Sequence, residues 1–211
     1  PVHNVFLGIG GSHISSQDSK GVIAISHSEI MEDDVDRVLD AAQAVAIPSN
    51  RRILRVIPKT FSVDEQVGIK YPVGMTGIRL EVAAHLVTGL VPAVKNIEKC
   101  VHQAGVDIND IIPNGLAAAE AVLTKRQKEL GVVVIDVGSG GTSLSVFEDG
   151  TVLHSASLPI GGENVTNDIA IGLRTSIDTA EKIKIEYGSC IPDDIHDRET
   201  IDLSLFSKID T

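Results

Sequence analysis

Val132-Val133-Val134-Ile135-Asp136-Val137-Gly138-Ser139-Gly140-Gly141-Thr142 is the stretch on which the reading of this fold turns. A short run of β-branched residues closed by glycines reads as a buried strand rather than a helix. The strand delivers one carboxylate, Asp136, to its end. A glycine turn and a hydroxyl follow, and the chain returns as a second strand, Ser143 to Phe147. Glycines let backbone N–H groups approach a phosphate closely. An aspartate at a strand end can hold a magnesium-bound water, because that ion keeps several waters and takes few protein ligands. The same pattern also fits a plain hairpin with a flexible turn. Two other phosphate devices are excluded: no Gly-Lys-Ser/Thr follows, and the loop returns as a strand where a dinucleotide fingerprint would open a helix.

Downstream, Asp149-Gly150 marks a hairpin turn into a strand over Val152 to Leu158. Gly161-Gly162-Glu163-Asn164 then feeds a helix, Asn164 to Leu173, and a second helix is expected over Thr179 to Tyr187. The glycine turn either aims amides at an anion or is simply the entry to the helix. Glu181 and Lys184 stand at i and i+3 and share a helix face. An acceptor beside a donor suits a ribose with its two hydroxyls, whereas charged pairs at this spacing usually decorate a solvated face. The stretch Pro192 to Arg198 is acidic and reads as a loop, and Ile201 to Ile209 begins a new apolar pattern.

Upstream, the pattern predicts a strand over Val5 to Ile9, a turn at Gly10-Gly11-Ser12, a strand over His13 to Gln17, a turn over Asp18 to Gly21, and a strand over Val22 to Ile25. Acidic Glu32-Asp33-Asp34 opens a helix whose face carries Val35, Val38, Leu39, Ala42 and Val45, ended by Pro48. Strands follow over Arg52 to Pro58 and Phe61 to Val63, then turns at Lys70-Tyr71-Pro72 and Val73 to Gly77. Leu80 to Gly89 alternates as a strand. This order predicts a small α+β sheet with one covering helix over residues 1–90. Beyond Pro92, a helix over Ala93 to Ala104 capped by Gly105, a strand over Ile108 to Ile112 and a helix over Leu116 to Leu123 lead back to the opening stretch.

Composition narrows the function classes. The 211 residues are 43% hydrophobic and only 3% aromatic, with no Trp, so the cores are built from Val, Ile, Leu and Ala. That favours packed α/β layers. The formal net charge is −11 and the longest basic cluster is Lys125, Arg126 and Lys128, which speaks against nucleic acid as a partner. An acidic surface also opposes unassisted binding to anionic lipid, and no apolar run approaches the roughly 20 residues of a membrane span. Cys100 and Cys190 stand alone and the His residues are scattered, so neither a zinc site nor a disulfide framework is expected. A reducing, cytoplasmic setting fits. The chain runs from Pro1 at once into a strand-like stretch and stops at Thr211 just after a fresh apolar pattern, as expected of a fragment.

The Asp136 to Thr142 loop, the Gly161-Gly162 helix entry and Ala180-Glu181-x-x-Lys184 come in the order and spacing of actin-like ATPases. The loop resembles their second phosphate motif, and Glu181 with Lys184 resembles their ribose-contacting helix. Val5-x-Leu7-x-Ile9-x-Gly11-x-His13-Ile14, Pro72-Val73-Gly74-Met75-Thr76-Gly77-x-Arg79-Leu80 and Gly162-x-x-Val165-Thr166-x-Asp168-Ile169-Ala170 are similar to the FtsA family of cell-division proteins. The resemblance covers nearly the whole chain, Val5 to Gly188.

That resemblance implies a fold: α/β, a partial actin-like ATPase domain (ribonuclease H-like) preceded by a small inserted α+β subdomain of the SHS2 kind. It implies domains at 1–90 (the inserted subdomain, 1C), 91–130 (the returning part of subdomain 1A) and 131–211 (incomplete 2A and 2B). It assigns Asp136, Gly138, Ser139, Gly140, Gly141, Thr142, Glu181 and Lys184 to nucleotide binding, with ATP and Mg2+ as ligands of the full-length protein and no protein metal centre. The expected function is a polymerising protein that links the FtsZ ring to the membrane and to later division proteins, on the inner face of the membrane at the septum. Residues 1–90 would serve filament contacts and recruitment, and membrane contact would come only through a segment absent from this sequence. Hydrolysis is expected to be weak or absent: relatives commonly read Asp-x-Gly-x-Gly-Thr-x-Asp, whereas this chain has Gly141 where the first Thr is expected and Ser143 where the later Asp is. The alternatives are a pilus-assembly (PilM-like) or other actin-like scaffold and, with less to carry it, a sugar or acetate kinase relative.

Overall fold

The computed structural model describes residues 2–44, 47–191 and 200–202. Val45, the acidic stretch from Pro192 and most of the apolar stretch from Ile201 lie outside the described residues. The chain divides into two compact units, Pro1–Val137 with Gly141–Pro159, and Gly138–Gly140 with Ile160–Thr211.

The first unit opens with β1 (Asn4–Ile9) and β2 (Ile14–Ala24), followed by α1 (Glu32–Gln43), β3 (Arg51–Val63), β4 (Gln66–Ile69) and β5 (Arg79–Leu90). It continues with α2 (Val91–Gln103), β6 (Asp107–Pro113), α3 (Asn114–Val122), α4 (Lys125–Leu130), β7 (Val132–Val137), β8 (Thr142–Glu148) and β9 (Thr151–Leu158). β2, β5, β3 and β4 form one antiparallel sheet in the order β2-β5-β3-β4, covered by α1. Ile30, Val38, Ala42, Leu80 and Val82 are almost fully buried between helix and sheet.

Three expectations are corrected here. The turn at Asp18 to Gly21 does not form, and β2 runs unbroken from Ile14 to Ala24, with Asp18 opposite His85 and Gly21 opposite Val82. The polar run that reads as a turn is instead shaped by its neighbours. A Cβ on Gly21 would lie 2.1 Å from the Val38 carbonyl oxygen, so glycine is what lets α1 lie against the strand. The Ser19 hydroxyl donates to the Ala42 carbonyl at 2.7 Å. Secondly, β1 is not part of this sheet: it pairs in parallel with β6, more than a hundred residues on in sequence order. Thirdly, a strand intervenes before Lys70. Asp64 adopts φ 52°, turning the chain into β4, and its Oδ1 accepts from the amides of Ile78 and Arg79 at 3.1 and 2.9 Å.

The opening stretch forms the expected strand, glycine turn and returning strand, but β7 is not the buried strand expected. Among the described residues only one of its faces is covered, by α3, and none of its residues is fully buried. β7, β8 and β9 form a meander in the order β7-β8-β9, and Asp149 and Gly150 both take positive φ in the hairpin turn. Val132 and Val134 pack against Ala119 of α3 and Phe147 of β8, while Val133, Ile135 and Val137 on the other face of β7 are exposed. The basic segment after Thr124 is a short helix, α4, capped reciprocally: the Gln127 amide donates to Thr124 Oγ1 at 3.3 Å and the Thr124 amide to Gln127 Oε1 at 2.8 Å.

His85 of β5 is 1% exposed and joins β2 to β9, with Nδ1 2.8 Å from Asp18 Oδ1 and Nε2 2.8 Å from Ser155 Oγ. The Asp–His–Ser connectivity is that of a nucleophilic triad. With His85 sealed off and Ser155 only 9% exposed, no substrate carbonyl reaches the hydroxyl, and the three residues act as a strut that runs from the exposed Asp18 to the buried Ser155.

The second unit consists of the loop Gly138–Gly140, α5 (Gly162–Leu173) and α6 (Ile177–Tyr187). Thr166 and Ala170 on α5, with Ala180 and Ile183 on α6, form its buried seam. Three of these four are small, which lets the helices approach closely.

Candidate functional site

In the second unit the glycine loop is clasped to the start of α5. The Gly162 amide donates to the Gly138 carbonyl at 2.9 Å and the Glu163 amide to the Ser139 carbonyl at 2.8 Å. The Asn164 amide donates to the Gly161 carbonyl at 3.1 Å, and Asn164 Oδ1 accepts from the Gly161 amide at 2.9 Å. The first amides of α5 are therefore spent within the chain. The glycine turn is a helix entry, and the anion-facing alternative for it does not hold. The clasp has a second consequence. In a trans peptide C=O and N–H point in opposite directions, and no described peptide bond is cis. With the Gly138 and Ser139 carbonyls turned toward α5, the amides of Ser139 and Gly140 are turned away from it, on exposed residues. They are a pair of adjacent backbone donors of the kind that binds phosphate oxygens.

α6 starts at Ser176, whose Oγ accepts from the Thr179 amide at 3.2 Å. One turn further, Glu181 and Lys184 come together, but not as a solvated-face pair. Lys184 Nζ donates to Glu181 Oε2 at 2.6 Å, to Thr166 Oγ1 at 2.8 Å and to the Gly162 carbonyl at 3.2 Å. Thr166 Oγ1 also bonds Glu181 Oε2 and lies 3.1 Å from the Gly162 carbonyl. The hydrogen bond from Lys184, then that from Thr166, holds the Glu181 carboxyl below the usual range for a glutamate against a smaller opposing effect of desolvation. Sequence reasoning missed Thr166 as a member of this group. Its signal was position: Thr166 and Ala170 lie four residues apart on one face of α5, and a hydroxyl on a buried helix face needs a partner.

Of the residues assigned from sequence, Gly138, Ser139, Gly140, Glu181 and Lys184 are gathered in the second unit, and Asp136, Gly141 and Thr142 belong to the first. Asp136 sits near the end of β7 opposite Ser143. A Cβ on Gly141 would lie 3.0 Å from the Leu158 carbonyl oxygen of β9, a local reason for glycine where threonine is expected. Among the described residues no three His, Cys, Asp or Glu side chains converge as a metal cluster. A lone carboxylate such as Asp136 suits magnesium held largely through its waters. Among the described residues, no helix is long and apolar enough to cross a membrane.

Residues 11–88 match the family model described as the SHS2 domain inserted in FtsA, and residues 133–210 match that of cell division protein FtsA. Curated FtsA proteins align over most of the chain. That of Pseudomonas aeruginosa is 47% identical over 190 residues, 90% of this chain and 46% of that protein. That of Bacillus subtilis is 42% identical over 207 residues, 97% of this chain and 47% of that protein. That of Escherichia coli K12 is 36% identical over 202 residues, 96% and 48% respectively. The chain thus spans about half the length of the curated relatives it matches. Among solved structures, the PilM-PilN type IV pilus biogenesis complex is similar with a TM-score of 0.62 and 18% identity, over 88% of this chain and 51% of that one. At that identity the likeness speaks to the fold alone. The fold class is accordingly the expected one, an SHS2 domain with part of an actin-like α/β fold.

Proposed function

The chain belongs to the FtsA family of cell-division proteins, and we propose that it is the portion of such a protein that carries the inserted domain together with part of a nucleotide-binding site. The second unit supplies the principal contacts. The amides of Ser139 and Gly140 take phosphate oxygens, Gly138 and Gly140 keep side chains out of the way, and Glu181 with Lys184 serves the ribose of ATP. What carries it is the clasp of Gly138 and Ser139 to α5, which turns the next two amides outward in the same unit as the Glu181–Lys184 pair. Asp136, Gly141 and Thr142 are assigned to the phosphates, and Asp136 to a water of Mg2+, because they flank that loop in the chain. The bound ion would offset phosphate charge.

In this reading ATP is a conformational ligand with slow or no turnover, since no residue here is assigned as a base for water. The whole protein polymerises and links the FtsZ ring to the membrane at the septum, on the cytoplasmic face, through a segment outside this sequence. Residues 1–90 serve filament contacts and later division proteins, 91–130 return to the actin-like core, and 131–211 begin its second half. A pilus-assembly role has only a likeness of fold behind it. The test is a thermal shift of the full-length protein with ATP and magnesium. A rise in melting temperature that is lost in Glu181→Ala and Lys184→Ala supports the reading. No rise at millimolar ATP refutes it, and a rise that survives both substitutions returns the pair to an ordinary structural role. Capture of FtsZ by the full-length protein, lost when residues after Ser176 are removed, tests the partner.

A further inference from the structure

Thr166 occupies the centre of the α5–α6 seam, 2% exposed, with one hydroxyl proton and three polar neighbours. Lys184 Nζ donates into Thr166 Oγ1 at 2.8 Å, so the threonine oxygen already accepts one bond. Its own proton has two acceptors within reach, the Gly162 carbonyl at 3.1 Å and the closer Glu181 Oε2. The ionised carboxylate is the stronger acceptor. The result is a closed ring in which lysine donates to threonine and glutamate, and threonine donates to glutamate.

The ring treats the two carboxylate oxygens differently. Both bonds to the carboxylate end on Oε2, none on Oε1, and the Glu181 side chain is 43% exposed. Lys184 has the opposite character: an ammonium has three protons, and its three bonds to Glu181, Thr166 and Gly162 use them all. We infer that Thr166 is a positioning residue for ribose recognition, pinning Glu181 by Oε2 so that Oε1 is presented as the acceptor for a ribose hydroxyl, with Lys184 acting as a second internal pin rather than as a donor to the ligand. This rests on the proposed nucleotide site and adds to it a basis for choosing ribonucleotides over deoxyribonucleotides.

The experiment measures affinity of the full-length protein for ATP, 2′-deoxyATP and 3′-deoxyATP by competition, for the unsubstituted protein, Thr166→Val and Thr166→Ser. A hydrogen bond to a charged acceptor predicts a loss of about tenfold or more for the analogue that lacks the bonded hydroxyl. Thr166→Val removes the hydroxyl at nearly constant shape. It is expected to weaken ATP by about tenfold and bring the ratio between ATP and that analogue to about one. Thr166→Ser, which keeps the hydroxyl, is expected to retain the ratio. Should Thr166→Val fail to fold, Thr166→Ala takes its place with the same expectation. A protein that binds ATP and discriminates as strongly in Thr166→Val or Thr166→Ala as unsubstituted overturns the inference alone, as does equal binding of all three nucleotides by the unsubstituted protein. A Thr166→Ser variant that loses the ratio also overturns it. Absence of any ATP binding refutes the nucleotide site itself, and the inference falls with it.

Discussion

Replacing Gly21 with alanine tests the packing on which the inserted domain is built. The added Cβ would lie 2.1 Å from the Val38 carbonyl oxygen, 2.7 Å from the Ala42 nitrogen and 3.1 Å from Ala42 Cβ. The first two are backbone atoms of α1 and cannot swing aside, so the helix must back off by roughly an ångström from a strand it now touches. Two losses follow. Overpacking of a tight core costs about 2 kcal/mol. The buried hydrogen bond from Ser19 to the Ala42 carbonyl, 2.7 Å long, is worth about 1 kcal/mol more. Restricting the unfolded chain returns only about 0.5 kcal/mol. A net loss of about 2.5 kcal/mol is large for a fold stable by roughly 5–15 kcal/mol. Urea unfolding followed by circular dichroism, with hydrogen exchange of the β5 amides to localise the change, measures it. At a slope of about 1 kcal/mol per molar, the midpoint should fall by about 2.5 M, and Lys20→Ala, an exposed neighbour on the same strand, should leave it nearly unchanged. A Gly21→Ala loss below about 1 kcal/mol would refute the close approach of α1 to β2.

Other outcomes are expected. The Asp18 carboxyl is raised by partial burial, but hydrogen bonds from His85 and Lys59 more than offset this and leave it below the usual range. A depressed carboxyl stabilises the fold above its unfolded pKa of about 3.9 and loses that contribution as pH falls through the folded value. The gap in urea midpoint between Asp18→Asn and the unsubstituted protein should therefore be wide at pH 7 and shrink as the pH drops below about 4. Ser145 Oγ is fully buried without a protein partner among the described residues and borders a cavity of about 30 Å3, room for a water. Ser145→Ala should be neutral or stabilising by up to about 1 kcal/mol in thermal denaturation. Ser176→Ala should cost about 1 kcal/mol through loss of the α6 cap, read as a lower melting temperature. Because α6 carries Glu181 and Lys184, the same variant should weaken ATP binding.

How much was legible in the sequence varied from element to element. β7, β8 and β9 were readable because a run of β-branched residues closed by glycines and an Asp-Gly turn are local signals, satisfied within a few residues. The α4 cap was equally local, a Thr followed three residues later by Gln, although the basic residues between them drew attention to charge instead. β2 was misread because Asp18, Ser19 and Gly21 are turn residues by local chemistry. Their reasons lie elsewhere in the chain, at His85, Ala42 and Val38. At the site, the i, i+3 spacing of Glu181 and Lys184 placed them on one face, but left open whether that face met water or protein.

The sequence by itself carried the resemblance that gives the family and the fold class, the strands of the meander, and the shared helix face of Glu181 and Lys184, because these rest on patterns of a few neighbouring residues. Only the tertiary structure decided that β1 joins β6 rather than β2, and that Gly21 serves a helix rather than a turn. It also decided that Thr166, eighteen residues before Lys184 and a helix away, completes its hydrogen bonds. Each of those is a contact between elements distant in sequence, and partners at that range are chosen by packing and by the need to satisfy buried polar groups, neither of which leaves a local signature.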